Sequence, residues 1–290
     1  LLGVETRGNR AYHQGRQIQL LAHPLGIHTP DWEGGGEDEP EVQREMQELR
    51  QAIAGRRLIL GVERLDYTKG VPERLRAYAS LLRENPSLAD EIMMIQIAVP
   101  SRVEVEEYRE LKDEVDRLAG DINSEFGRPG RQALHYQFRG VPPHVLRALY
   151  RLADVCLVTP LRDGLNLVAK EFVASRRDDD GVLVLSENTG AAWELGEALR
   201  VNAFDDENMV RTLKRALDMP LEEQTRRMAA MRKRVAEKNV HVWAREMVDA
   251  IRSAEPLAPP PALAGEAKQR LLNKWKKADR RVLFLDYDGT

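Results

Sequence analysis

The sequence predicts an α/β fold built on a parallel sheet covered by helices on both faces. Three observations carry this expectation. Short apolar runs alternate with segments of helical periodicity along most of the chain. The runs are apolar at nearly every position, the pattern of strands buried on both sides. Charged or glycine-bearing turns recur where a run gives way to a helix. Taken in order, Val42, Met46, Leu49 and Ile53 mark one face of a helix, and Leu58–Val62 reads as a strand. Leu75, Tyr78 and Leu82 mark a second helix before the strand Ile92–Val99. A charged helix is expected from about Val103 to Leu118, a strand at Leu134–Phe138, a helix at 142–152 and a strand at 154–159. A strand at 182–185 and a helix of small residues at 189–196 follow, and helical pattern dominates 205–254. In such sheets ligands bind where strands end and helices begin, so the turns are the places to look.

The composition narrows the function. The chain has 290 residues, 42% hydrophobic and 31% charged, with a net charge of −3. That is enough apolar material for a core, and there is no basic field to favour nucleic acid or an anionic membrane. No apolar run approaches the roughly 20 residues of a membrane span. The lone Cys156, inside the apolar run Val155–Val158, has no partner for a disulfide and reads as a buried thiol in a reducing cytoplasm. Residues 1–22 begin in mid-pattern with no evident first strand. "EPLAPPPALAGEAK" reads as an interdomain linker, and "RRVLFLDYDGT" starts a new strand where the chain stops. Both ends look cut, so a piece of a longer protein is expected.

Four turns carry candidate chemistry. In "GVERLDYTKGVPERL" a strand ends at Gly61-Val62, and Pro72 suits the first turn of the next helix. Arg64 and Lys69 lie between them. Two cations converging on one pocket suit a diphosphate; the plain alternative is a solvated loop. In "AVPSRVEVEEY" Arg102 stands beside a helix start, which suits an anion, although Ser101 reads most simply as a helix cap. In "LVTPLRDGLNLVAKEFVAS" Asp163 is either a helix cap or a ligand for sugar hydroxyls. Gly164 permits close backbone approach, and the N–H groups of Leu165, Asn166, Leu167 and Val168 would point at a phosphate. Lys170 adds charge, and Glu171 would accept from a ribose diol. In "SENTGAAWEL" the small residues Gly190, Ala191 and Ala192 leave room for a bulky group, or else serve close helix–sheet packing. His23, His28, His135, His144 and His241 show no metal-ligand spacing.

These four blocks resemble, in order and spacing, the trehalose-6-phosphate synthase family, retaining glycosyltransferases of the two-Rossmann-domain (GT-B) type. The resemblance runs to about residue 254 and matches the C-terminal, nucleotide-sugar-binding half, a Rossmann-like domain. It implies transfer of glucose from UDP-glucose to glucose 6-phosphate without a metal ion. Arg64 and Lys69 would grip the donor diphosphate, Arg102 the acceptor phosphate and Asp163 the donor glucose. Backbone groups from Gly164 through Asn166, Leu167 and Val168 would touch sugar and phosphate, and Glu171 would hold the ribose. Val141-Pro142-Pro143 and Asn188-Thr189 depart from the family pattern, which commonly has a basic residue at the first position and an aromatic with a small residue at the second.

The tail "VLFLDYDGT" resembles the first motif of haloacid-dehalogenase-type phosphatases, in which Asp286 would be the nucleophile, Asp288 the general acid and magnesium the cofactor. The expected division is thus a remnant of an acceptor domain at 1–22, the nucleotide-sugar domain at 23–254, a linker at 255–280 and the start of a phosphatase at 281–290. Within this resemblance the chain would come from a synthase–phosphatase fusion in the cytoplasm. Its partners would be small molecules, with homo-oligomerisation left open, and the piece alone is expected to bind UDP weakly and turn nothing over. Rival readings are a glucosylglycerol-phosphate synthase and a non-catalytic, sugar-phosphate-sensing subunit. Pro100-Ser101-Arg102 favours the larger acceptor, and the intact Arg64, Lys69, Asp163 and Glu171 favour an enzyme.

Overall fold

The structure is a computed structural model that describes residues 4–13, 16–34, 36, 39–102, 104–253 and 265–277. Asp286 and Asp288 lie outside the described residues. Two compact units divide the chain, one of residues 23–248 and one formed by the described parts of 1–22 and 249–290. Residues 5–19, for which no strand was expected, form an antiparallel sheet of β1 (Glu5–Arg7), β2 (Arg10–His13) and β3 (Arg16–Gln19). Arg7 pairs with Arg10, so the first hairpin turns on the two residues Gly8-Asn9, with Gly8 at φ +60°.

The larger unit holds a six-stranded parallel sheet of β4 (Arg57–Arg64), β5 (Ile92–Val99), β6 (Leu134–Gln137), β7 (Val155–Val158), β8 (Val182–Ser186) and β9 (Leu199–Val201). The strand order is β6-β5-β4-β7-β8-β9, and every pairing is parallel. The helices are α1 (Pro30–Glu33), α2 (Glu39–Ile53), α3 (Val71–Glu84), α4 (Leu88–Glu91), α5 (Glu106–Phe126) and α6 (Pro143–Leu152). They continue with α7 (Leu167–Ser175), α8 (Ala191–Glu194), α9 (Asp206–Leu217), α10 (Leu221–Glu237) and α11 (Val240–Ser253). The helix expected from Val103 starts at Glu106 and ends at Phe126, and the one expected over 189–196 shrinks to the single turn of α8. Residues 265–277, inside the expected linker, form a helix, α12 (Gly265–Lys277).

Strand alternation sorts the core into two layers. Ile59, Met94, Leu157 and Val184 face Leu75, Tyr78, Val115 and Leu213, which come from α3, α5 and α9. Leu58, Leu60, Ile95, Cys156 and Leu185 face Leu149, Phe172, Val173 and Met228, from α6, α7 and α10. Cys156 is a buried free thiol whose pKa burial pushes far up. The architecture is the α/β sheet that the apolar runs imply, because strands with no polar face must be covered twice.

The connectivity sets the position of the site. From β4 the chain builds outward through β5 to β6, then crosses back to lay β7 against the other side of β4. The pairing of β4 with β7 covers Ile59↔Val155 and Leu60↔Cys156, while β4 continues to Arg64. Beyond Leu60 the pairing stops, and the carboxyl ends of β4 and β7 form the topological switch point of the sheet, the place where such folds bind ligands.

Candidate active site

Four loops meet at this edge. The first leaves β4 at Arg64, the last residue of the strand, and makes a single 3₁₀ turn, Tyr67–Lys69. Asp66 caps that turn: its Oδ1 accepts from the Thr68 amide at 2.9 Å and from the Thr68 hydroxyl at 2.7 Å. Gly70, at φ +65°, then lets the backbone pass against β7, where a Cβ would stand 2.4 Å from the Thr159 carbonyl oxygen. The Thr68 carbonyl accepts from the amides of Leu161, 2.8 Å, and Arg162, 3.3 Å, which ties the loop after β4 to the loop after β7.

Across this seam the two candidate donor ligands converge. Lys69 Nζ lies 2.5 Å from Asp163 Oδ2, and both side chains are only 13–14% exposed. Arg64 is exposed, and its side chain has no hydrogen-bond or ion-pair partner among the described residues. The loops after β4 and β7 therefore carry two exposed guanidiniums without a side-chain partner among the described residues, those of Arg64 and Arg162, and one ammonium, Lys69, that the Asp163 carboxylate holds until a ligand competes for it.

Asp163 is not the cap of α7. That role belongs to Asn166, at φ +73°, whose Oδ1 accepts from the Ala169 amide at 3.1 Å while its Nδ2 donates to Asp163 Oδ2 at 3.2 Å. The Leu165 amide is not free either, because it donates to Asp163 Oδ1 at 3.2 Å. This leaves the first amides of α7, Leu167 and Val168, for an anion. A Cβ on Gly164 would meet nothing within 4 Å, so that backbone is open to close approach.

Glu171, one turn on, accepts from Tyr150 Oη at 3.0 Å, and burial pushes its carboxyl above the usual range against that bond. Lys170, expected to add charge to the site, does not reach it. Its Nζ is buried between the Leu25 carbonyl, 2.9 Å, and Glu194 Oε1, 2.7 Å, and it serves packing.

The loop after β8 closes the far wall. The Gly190 amide donates to the Asp163 carbonyl at 3.0 Å, and the Asp163 amide to the Asn188 carbonyl at 3.1 Å. A Cβ on Gly190 would lie 2.0 Å from the Gly164 oxygen, so the small residues here serve close loop packing rather than room for a ligand. Thr189, a departure from the family pattern, joins the same seam: its hydroxyl donates to the Leu165 carbonyl at 3.0 Å.

After β5, Ser101 is not a helix cap. Val105, with extended backbone, precedes α5. Arg102 sits at φ +46°, and its Nη1 donates to Tyr108 Oη at 3.2 Å.

Sequence reasoning missed the floor under these loops. Arg74, 1% exposed, donates from Nε to Thr159 Oγ1 at 2.9 Å and from Nη1 to Gln96 Oε1 at 3.1 Å, and its Nη2 lies 3.4 Å from Glu63 Oε1. One side chain of α3 thus links β4, β5 and the residue that follows β7. Burial pushes the Glu63 carboxyl up, and the charges of Arg74 and Lys69 oppose it. The available signal was the spacing Val71, Arg74, Leu75, Tyr78, which sets an arginine on the apolar face of its helix.

Comparison with known proteins gives the family. Residues 1–253 match the model of Glycosyltransferase family 20. The trehalose-6-phosphate synthase of Mycobacterium leprae is 43% identical over 255 residues, 88% of this chain and 51% of its own length. A bifunctional trehalose-6-phosphate synthase/phosphatase of Thermoproteus tenax is 40% identical over 280 residues, 95% of this chain and 38% of its own. Among solved structures, a UDP-forming α,α-trehalose-phosphate synthase of Burkholderia xenovorans in complex with glucose-6-phosphate superposes with a TM-score of 0.81 at 35% identity, over 86% of this chain and 56% of that one. An E. coli protein bound with UDP-2-fluoro glucose superposes with a TM-score of 0.80 at 36% identity, over 87% and 56%. The chain thus spans about half the length of the synthases it matches. With a parallel sheet whose switch point carries a cation–carboxylate pair between two loops, this chain belongs to glycosyltransferase family 20.

Proposed function

We propose that the protein containing this chain transfers glucose from UDP-glucose to glucose 6-phosphate with retention, forming α,α-trehalose 6-phosphate and UDP. The observation that carries the reading is the meeting of Lys69 and Asp163, which come from different loops, with the unpartnered side chain of Arg64 at the end of β4, where the loop that carries Lys69 begins. In this assignment Arg64 and Lys69 neutralise the diphosphate as the glycosidic bond breaks, and Asp163 turns to the hydroxyls of the glucose. The amides of Leu167 and Val168 supply further donors, and Glu171 accepts from the ribose. In this reading Asp163 is committed to the sugar hydroxyls and does not attack the anomeric carbon. The departing phosphate oxygen then takes the proton of the attacking acceptor hydroxyl, on the face the leaving group vacates, which gives retention.

The transfer needs no metal in this reading, since Arg64 and Lys69 would balance the charge of the diphosphate in place of a divalent ion. Arg102 holds the acceptor phosphate, and this favours glucose 6-phosphate over a smaller acceptor. The substrates are small molecules, and the buried, unpaired Cys156 fits a reducing cytoplasm. No helix among the described residues is long and apolar enough to cross a membrane. The Thermoproteus tenax relative supports a fused phosphatase, to which Asp286, Asp288 and magnesium would belong.

The test is UDP release by the full-length protein, using UDP-, GDP- and ADP-glucose as donors and glucose 6-phosphate or glycerol 3-phosphate as acceptor. Release from UDP-glucose that depends on glucose 6-phosphate is expected. Dependence on glycerol 3-phosphate instead, or no release with any pair, overturns the assignment.

A further inference from the structure

Arg102 follows the carboxyl end of β5 and lies outside the loops that hold the donor. It is exposed, and its backbone is left-handed, at φ +46°, a conformation that L residues other than glycine, asparagine and aspartate rarely adopt. Something must hold such a residue in place if its guanidinium is to meet a ligand in one orientation. Its hydrogen bond from Nη1 to Tyr108 Oη, 3.2 Å, ties it to the first turn of α5, and its guanidinium carbon also lies 5.8 Å from the centre of the Tyr108 ring. Tyr108 is itself 5% exposed and packs edge-on against Tyr67, with the ring centres 5.8 Å apart.

The direction of the Tyr108 hydroxyl is fixed from the other side. Its proton goes to Asp66 Oδ2, 2.8 Å away. Asp66 can receive it because its carboxyl stays below the usual range: burial would raise it, but bonds from Thr68 and Tyr108 outweigh that. With the proton committed to Asp66, a lone pair of Oη is left to face Arg102. The other Asp66 oxygen caps the turn Tyr67–Lys69 that carries Lys69. A continuous chain of bonds, Arg102–Tyr108–Asp66–Thr68, therefore runs from the acceptor-phosphate arginine to the loop that carries the donor-diphosphate lysine.

We propose that Tyr108 is a positioning residue for acceptor recognition, orienting Arg102 for the phosphate of glucose 6-phosphate, and that Asp66 is the shared anchor through which the acceptor and donor subsites are held together. The proposal rests on the acceptor reading of Arg102 given above. Tyr108 acts only through Arg102, and Asp66 acts on both sides. Removing the Tyr108 hydroxyl leaves Asp66 with its two bonds from Thr68, so the donor loop keeps its cap. Removing the Asp66 charge weakens that cap and frees the Tyr108 proton at once.

The experiment is steady-state kinetics of UDP release by the full-length protein, with both substrates varied, for wild type, Tyr108→Phe, Asp66→Asn, Arg102→Ala and the Tyr108→Phe/Arg102→Ala double variant. Loss of one hydrogen bond to a charged group corresponds to about a tenfold effect. Tyr108→Phe is expected to raise KM for glucose 6-phosphate about tenfold and leave KM for UDP-glucose within about twofold. Asp66→Asn should raise both. In the Arg102→Ala background Tyr108→Phe should change nothing further, because the group it orients is gone.

The proposal is overturned if Tyr108→Phe shifts both KM values alike, shifts neither, or has the same effect with and without Arg102. Failure of the acceptor reading shows differently: Arg102→Ala would then leave KM for glucose 6-phosphate at the wild-type value. A fluorescence unfolding curve for each variant separates these effects from loss of fold, since a purely structural role would lower stability without selecting one substrate.

Discussion

The buried arginine beneath the site gives a prediction whose size follows from the structure. Arg74→Met keeps the length of the side chain but removes three polar contacts, to Thr159, Gln96 and Glu63, and leaves the Glu63 carboxylate, 3% exposed, without its cation. Stranding one partner of a buried ion pair costs about 3–5 kcal/mol. An upper bound comes from the alternative open to Glu63, which is to take up a proton. Protonating a carboxyl of ordinary pKa, about 4.3, at pH 7 costs about 1.36 kcal/mol per unit, or about 4 kcal/mol. The folded variant would then hold one proton more than its unfolded chain. Burial already raises the Glu63 carboxyl in the wild type, and losing Arg74 raises it further, so the stability of the variant relative to wild type should fall as pH rises past the wild-type folded value, by at most about 1.4 kcal/mol per pH unit, and recover on acidification.

Urea unfolding followed by tryptophan fluorescence at pH 5.5 and 7.0 measures this. The double variant Arg74→Met/Glu63→Gln, which has no carboxyl to protonate, should lose the pH dependence. A penalty below about 1 kcal/mol, or one independent of pH, would refute the reasoning, since it would mean that the Arg74 charge does not hold the Glu63 carboxyl down against burial.

Two further predictions concern the loops. Gly190→Ala forces a methyl group against the Gly164 carbonyl and should cost about 1–3 kcal/mol by thermal unfolding, whereas Gly164→Ala, with nothing within 4 Å, should leave stability within about 0.5 kcal/mol and weaken UDP-glucose binding in a calorimetric titration. Glu171 has a folded pKa raised by burial, so the stability it contributes is complete below the unfolded carboxyl pKa and lost as pH rises through the folded one. Glu171→Gln should therefore gain stability relative to wild type as pH rises from acid to neutral in urea titrations, and should raise the KM for UDP-glucose.

How much of this was legible depends on where information lies in a sequence. The strands of the parallel sheet announce themselves because both faces are buried, as in Ile92–Val99, and the loops at their ends carry the charges that matter. The sheet of residues 5–19 does not, since its strands expose most positions and carry arginine through the pattern. Asp163 is read from sequence as a ligand, with a capping role left compatible; the structure gives the cap to Asn166, at φ +73°, and no periodicity encodes a single left-handed residue. Lys170 and Lys69 are alike as letters. One is held in the core by Glu194 and by the Leu25 carbonyl, a contact 145 residues apart in sequence, and the other meets Asp163 across two loops. Helix α12 follows a proline-rich run that reads as linker, and its charged periodicity was outweighed by that composition.

The central claim is that Arg64, Lys69 and Asp163 share one donor crevice with divided duties, and calorimetric titration of the full-length protein and its variants with UDP and with UDP-glucose tests it most directly. Arg64→Ala and Lys69→Met should each weaken UDP by about tenfold or more, the scale of a charge-assisted phosphate contact, whereas Asp163→Asn should spare UDP and weaken UDP-glucose. Equal affinities for UDP in wild type, Arg64→Ala and Lys69→Met would contradict the account.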